Sequence, residues 1–288
     1  MSVFIIQELV KRLQAEKTLT NWLRLYAALT WTKIGFATNH PPLRLHETTI
    51  TQNFVFDCWL AANNLPWSIK VYESLDEKAN GNDLEFVIET GNGYMLLPMQ
   101  AKIIKKGHSY PSIKHTVDNT SQTELLIEYA CNEGGLPMYL FYNYCDSQEI
   151  NLKIEKESGL SIESYGMSLC SAFHIRDNYI AHKRKVPRFN EIHPKYALPL
   201  HAVGEPDFYD WIAFSCKEVG LKYYSFKEID RDMRFKDLTP PPAIGRIPGS
   251  QPNEILTLLQ MNSQPGFNPK FRIMFSFEKQ KTIVGISR

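Results

Sequence analysis

The chain has 288 residues, enough for one large domain or two small ones, and its 43% hydrophobic content is that of a soluble globular protein in which no apolar run approaches a membrane span. Its net charge of +1 says nothing about nucleic acid at the level of the whole chain, so any basic surface must be local. Five cysteines (Cys58, Cys131, Cys145, Cys170 and Cys216), odd in number and without C-x-x-C spacing, argue against a disulfide scaffold or a cysteine zinc site and favour a reducing cytoplasm.

Residues 2 to about 37 read as two helices. The first, M-S-V-F-I-I-Q-E-L-V-K-R-L, carries Glu8 and Lys11 within its apolar run and so reads as an amphipathic helix, not a cleavable signal. Asn39-His40-Pro41-Pro42 breaks this region. A helix over about Glu47 to Asn63 follows, with Ile50, Phe54, Cys58 and Ala61 on one face. I-K-V-Y-E-S, residues 69–74, is a strand, with Glu73 near its end. The loop D-E-K-A-N-G-N leads into a hairpin made of D-L-E-F-V-I-E and Y-M-L-L-P-M-Q-A-K-I-I around Thr90-Gly91-Asn92-Gly93.

The hairpin register follows from alternation. Leu84, Phe86 and Ile88 form one apolar face, and Met95, Leu97, Met99, Ala101 and Ile103 the other half of it. Asp83, Glu85, Gln100 and Lys102 then share the opposite face. A turn at Gly91-Asn92 sets Asp83 opposite Gln100; a turn at Asn92-Gly93 sets Glu85 opposite Gln100 and Asp83 opposite Lys102. Both registers keep two acids, an amide and a lysine together, the polar equipment for holding a divalent cation and cutting a phosphodiester.

Beyond Lys106 a loop carries His108, Tyr110, Pro111 and His115. A second helix of this region starts near Ser121, where Ser121-x-x-Glu124 matches a capping box, and stops at Gly134-Gly135. L-P-M-Y-L-F-Y-N-Y reads as a strand. Residues 151–185 are an amphipathic mixture. A-L-P-L-H-A-V reads as a strand, D-F-Y-D-W-I-A-F-S-C-K-E-V-G as a helix, L-T-P-P-P-A-I-G-R-I-P-G-S-Q-P as an extended surface segment, and F-R-I-M-F-S-F as a late strand. The division expected is an N-terminal helical segment (1–40), a nuclease-like core (41–150) and a C-terminal extension of unassigned role (151–288), either a separate domain or a cover on the core sheet.

Two stretches are locally basic. Gln100 to His115 holds Lys102, Lys105, Lys106, Lys114, His108 and His115 without an acid, and His182 to Arg188 reads H-K-R-K-V-P-R. No P-loop, G-x-G-x-x-G or G-x-S-x-G is present, and the histidines lack a zinc spacing.

The α-β-β-β-α-β order from Glu47 to Tyr144, with Glu47 on the first helix, Asp83 on the second strand and Gln100-Ala101-Lys102 on the third, resembles the PD-(D/E)xK nuclease superfamily. Its Q-A-K resembles the Mrr-type restriction-endonuclease branch, where glutamine replaces the second acid. Asn82 stands where the signature proline would be. The resemblance covers roughly residues 45–145. It implies an α/β fold with a restriction-endonuclease-like core, its mixed central sheet flanked by helices, with N-terminal helices and a C-terminal α+β extension.

The resemblance also implies a Mg²⁺-dependent endonuclease, a hydrolase acting on DNA in restriction or anti-phage defence, with Mn²⁺ able to substitute. Asp83, Gln100, the Ala101 carbonyl and Glu47 would hold the metal through hard oxygen ligands. Lys102 would orient the attacking water and stabilise charge on the phosphorane. Gln122, with Tyr129 seven residues on, resembles the supplementary glutamine and tyrosine of some of these nucleases. Gln122 would bond phosphate or the water; Lys105, Lys106, Lys114, His115 and Tyr129 would contact substrate. A homodimer cutting both strands, and an activating ligand or partner bound by the C-terminal half, fit the same reading. The alternatives are a non-catalytic nucleic-acid- or partner-binding module on a degenerate nuclease fold and a ligand-activated nuclease effector.

Overall fold

The computed structural model describes residues 3–40, 42–62, 65, 69–75, 80–117, 119–181, 186–205, 208, 220–238 and 269–276, with 80–83 as backbone. Three helices open the chain: α1 (Val3–Ala15), α2 (Leu19–Asn39) and α3 (Glu47–Ala61). Then come β1 (Ile69–Ser74), β2 (Asn80–Thr90), β3 (Gly93–Ile103), the short pair β4 (Thr116–Val117) and β5 (Thr120–Ser121), α4 (Gln122–Glu133) and β6 (Met138–Tyr142). The later elements include α5 (Gln148–Ser158), β7 (Met167–Ser171), β8 (Ala197–Pro199), β9 (Phe235–Asp237) and β10 (Pro269–Phe275).

These form an α/β protein around a mixed eight-stranded sheet of order β8-β7-β6-β3-β2-β10-β1-β9. The hairpin turns at Gly91-Asn92, with Thr90 opposite Gly93 and Asp83 opposite Gln100. Of the two registers, this is the one with a two-residue turn closed by Thr90 and Gly93. β6 runs parallel to β3, and α4 lies in the crossover between them. Helix α4 begins where Ser121 accepts a hydrogen bond from the Thr123 N–H at 3.2 Å and stops at Gly134, whose φ of 65° is the left-handed conformation that glycine adopts without strain.

Residues beyond 151 supply β7 and β8 on one flank, β9 at the opposite edge, and β10 inside the sheet. The late strand pairs antiparallel with β1 and parallel with β2, so β1 and β2 are separated and not neighbours. Strand β7, within the stretch that reads as an amphipathic mixture, is buried at every position and so carries no alternation. A-L-P-L-H-A-V is a strand only over Ala197–Pro199; Leu200–Gly204 then turns as a 3₁₀ helix. Proline has no N–H with which to extend the ladder. Apart from Phe208, Gly220 and Leu238, the helix expected over 207–220 and the proline-rich stretch over 238–252 lie outside the described residues, as do His182–Lys185.

One sheet face, with Leu84, Phe86, Leu97, Met99, Ala101, Leu140 and Ile273, packs under α2 and α3 in a single large core with Trp22, Tyr26 and Phe54. The other face carries Tyr139, Phe141 and Cys170 beneath α4 with Leu126 and Ile127. Among the described residues no helix is long and apolar enough to cross a membrane.

Candidate functional site

The site is built where β3 outruns β2. Their paired register ends at Asp83 and Gln100. Because Thr90 and Gly93 close a two-residue turn, the odd-numbered residues of β3 aim their backbone groups at β2 and the even-numbered ones at β6. The contacts agree: Ile104 donates to Tyr142 on the β6 side. The Ala101 carbonyl therefore points to the β2 side, one residue past the last pair. Two residues further, the Ile103 N–H has no strand to meet, and the Glu47 Oε2 accepts it at 3.0 Å.

That bond fixes Glu47. As the first residue of α3 it stands at the positive end of a helix, and its carboxylate reaches across to β3. Its pKa is raised, chiefly by burial, against the lowering effect of Lys102, the Ile103 N–H and Lys105. Two cations thus lie near enough to oppose part of the cost of burying this carboxylate, though burial prevails.

Gln100 and Lys102 are each only 3% exposed, on the face covered by α4. Lys102 donates from Nζ to the Gln122 Oε1 at 3.0 Å, and Gln122 is held in turn because its N–H donates to the His115 carbonyl. Glu47, Lys102, Ser112, Lys114, His115 and Gln122 line one open cleft with Pro111. It lies at the carboxyl end of β3, beside parallel β6, where open α/β sheets bind ligands. Lys114 and His115 are exposed on its wall, on a turn anchored by fully buried Ile113.

Lys105 and Lys106 are exposed on the preceding loop. That loop meets the second basic stretch: Ser109 bridges Arg188, Tyr110 donates to the Pro187 carbonyl, and the Phe189 N–H donates to the His108 carbonyl. Two stretches that are far apart in the sequence thus form one ribbon beside the cleft.

Other residues are placed elsewhere. Glu85 shares the face of Gln100 but is fully buried and paired to Arg272 of β10 at 2.5 Å, so it is not an outer acid of the cleft. Tyr129 donates to the other Glu85 oxygen at 3.2 Å. Its position opposite the Glu85 and Pro98 level, about 13 Å along the strand from Lys102, takes it out of the cleft. Glu73 pairs with Phe271, which pairs with Leu84, so it belongs to the opposite sheet face. Asp83 is fixed by its register with Gln100; its side chain lies outside the described residues. The sequence offered no signal for Arg272 as the partner of Glu85, because 187 residues separate them, nor for Ser112, a lone hydroxyl in a loop.

Near the end of β3 the oxygen groups are the Glu47 carboxylate, bonded to the Ile103 N–H, and, two to three residues earlier on the strand, the Ala101 carbonyl and the Gln100 amide, with Asp83 paired to Gln100 in register. This all-oxygen set suits a hard divalent cation such as Mg²⁺. Among the described residues, to which the Asp83 side chain does not belong, no group of three His, Cys, Asp or Glu converges.

Fold and cleft together define an α/β protein with a cationic, glutamine-braced pocket at the end of a parallel strand pair. The chain belongs to the family described as Family of unknown function (DUF6615), whose profile matches residues 19–209. The matched span holds every residue of the cleft and stops short of β9 and β10. No curated protein and no solved structure matches the chain.

Proposed function

We propose that the protein is a metal-dependent phosphodiesterase, an endonuclease acting on DNA, with a restriction-endonuclease-like core. The observation that carries this reading is the buried Lys102, braced by Gln122 and set beside Glu47 at the mouth of an open cleft with cationic walls. A buried lysine with an amide brace and a neighbouring carboxylate is costly to maintain as packing alone. The insertion of β10 between β1 and β2 is an elaboration of the α-β-β-β-α-β order, whose third strand still meets the last in parallel.

In this reading the Lys102 ammonium faces the phosphodiester, orients the attacking water and stabilises the charge that develops on the nonbridging oxygens. Gln122 limits the swing of that ammonium. Lys114 and His115 meet phosphates next to the scissile one, and Lys105, Lys106 and Arg188 extend the contact along the backbone. A divalent cation held by Asp83, Gln100, the Ala101 carbonyl and Glu47 would polarise the phosphodiester and acidify a bound water. Since Gln100 stands where a second acid would add charge, metal affinity is modest and substrate phosphate completes the site.

The test is cleavage of plasmid DNA with Mg²⁺ or Mn²⁺ by the wild-type protein and by Asp83→Ala, with EDTA as control. Metal-dependent cutting that is lost in the variant supports the reading. DNA bound but left intact by a protein that also fails to titrate with metal would favour the non-catalytic binding module.

A further inference from the structure

A closed circuit of hydrogen bonds runs beneath the basic ribbon, and every direction in it is determined. The His193 Nδ1 lies 2.9 Å from the Phe189 carbonyl, which can only accept, so in the neutral ring that burial favours Nδ1 carries the proton and Nε2 accepts. Ser168, 2.7 Å from Nε2, is therefore the donor there. Its oxygen then accepts from the Asn143 Nδ2 at 3.0 Å, and the same amide nitrogen donates to the Tyr165 carbonyl at 2.7 Å. That orientation aims the Asn143 Oδ1 at Tyr110, whose hydroxyl donates to it at 2.6 Å. The ribbon closes the ring, because the Phe189 N–H donates to His108 and the Tyr110 N–H to Pro187. Tyr110, Asn143 and Ser168 are fully buried and His193 nearly so.

The circuit sits level with the candidate lysine. Lys102 pairs with Phe141, and Phe141 with Ser168, so Ser168 lies two strands from Lys102, about 10 Å across the sheet. The Tyr110 ring packs on Phe141 with centroids 4.3 Å apart. We propose that Tyr110, Asn143, Ser168 and His193 are positioning residues that fix the height and angle of the ribbon 105–110/186–189 relative to Lys102, so that the Lys105, Lys106 and Arg188 cations meet a polyanion in register with the cleft. The inference rests on the nucleic-acid reading for its substrate, and on the geometry alone for its mechanics. None of the four touches the substrate. In a satisfied buried network each member restrains the others, so losing one hydroxyl loosens the whole.

The experiment compares wild type with Tyr110→Phe and Ser168→Ala. Tyr26→Phe, which removes a buried hydroxyl bonded to Asp57 on the other sheet face, is the control. Amide hydrogen exchange is read on residues 105–110, 188 and 189, with the Kd for a labelled duplex in Ca²⁺ and kcat and KM in Mg²⁺. The expected result is exchange faster by about fivefold in the ribbon, the equivalent of one hydrogen bond. Kd and KM should rise by a similar factor while kcat stays within about twofold, and Tyr26→Phe should leave the ribbon and Kd unchanged. Unchanged ribbon exchange overturns the proposal, as does acceleration spread over the whole chain or equal in the control. A duplex left unbound by wild type overturns the nuclease reading; ribbon-specific acceleration in Tyr110→Phe would still support the circuit.

Discussion

Lys102 on β3 and Gln122 at the start of α4 are joined by a 3.0 Å hydrogen bond from Nζ to Oε1, which ties the candidate catalytic strand to the crossover helix. Lys102→Ala is expected to abolish cleavage with the fold intact by circular dichroism. Gln122→Leu removes one brace from the ammonium and should lower kcat by about 10²-fold, as a displacement of 1 Å can. Lys102→Ala activity near that of wild type would sink the assignment.

Asp83 and Gln100 face each other across the last rung of the hairpin. Asp83→Ala should eliminate metal-dependent cleavage. Gln100→Glu keeps an oxygen donor and adds a charge, so it should retain activity and need less Mg²⁺ for half-maximal rate. Mg²⁺ titration of the rate checks both.

Glu47 should set the acid limb of the rate profile. Its pKa is raised above 4.5 by burial, with Lys102 and Lys105 among the groups opposing the rise. If the ionised form is the active one, activity is lost as pH falls through this raised value, earlier than for an exposed glutamate. Lys105→Ala removes one opposing cation and should move the limb to still higher pH. Glu47→Gln keeps an acceptor for the Ile103 N–H, so thermal stability should hold while cleavage disappears. Rate–pH profiles of the three proteins decide this.

His193 should make the fold acid-sensitive. Burial holds its pKa down to about 3 from 6.5. Between these values the unfolded chain takes up a proton that the folded protein does not. Stability is therefore complete above about pH 6.5 and falls as pH drops towards 3, by at most about 1.4 kcal/mol per pH unit for this one group. His201, lowered to about 4 by burial and by Arg24, acts in the same direction. Urea midpoints at pH 7, 5 and 4 measure the slope.

Arg272 is 1% exposed, pairs with Glu85 and Asp232, and stacks over Phe235. Arg272→Met strands the buried Glu85 carboxylate and should cost about 3–5 kcal/mol in urea unfolding; pairing it with Glu85→Leu should recover much of the loss.

What was legible in the sequence is what local pattern controls. The two-residue turn and the alternation of Leu84, Phe86 and Ile88 against Met95, Leu97 and Met99 fixed the face of Gln100 and Lys102. Glu47 was legible as a helix start, though not as the acceptor for Ile103. Glu85 misled because alternation reports a face and not a partner: its arginine comes from a strand inserted out of chain order. Tyr129 shares a helical side with Gln122, but the axial distance between them carries it to Glu85. Strand β7 was hidden because a segment buried on both faces has no period to read. The ribbon was visible only as two separate basic runs.

The place of β10 has a consequence for biosynthesis. A ribosome that has released the chain as far as Leu238 has supplied every other strand of the sheet. Yet β1 and β2 still lack the strand that pairs with both, and the Glu85 carboxylate still lacks Arg272. The strand that carries Asp83 is thus left as an open edge, as is β1, until residues 269–275 arrive, so the sheet beside the cleft is completed late, through contacts of long sequence separation that are slow to form. A cell that makes this protein holds it, for that interval, without a finished candidate site.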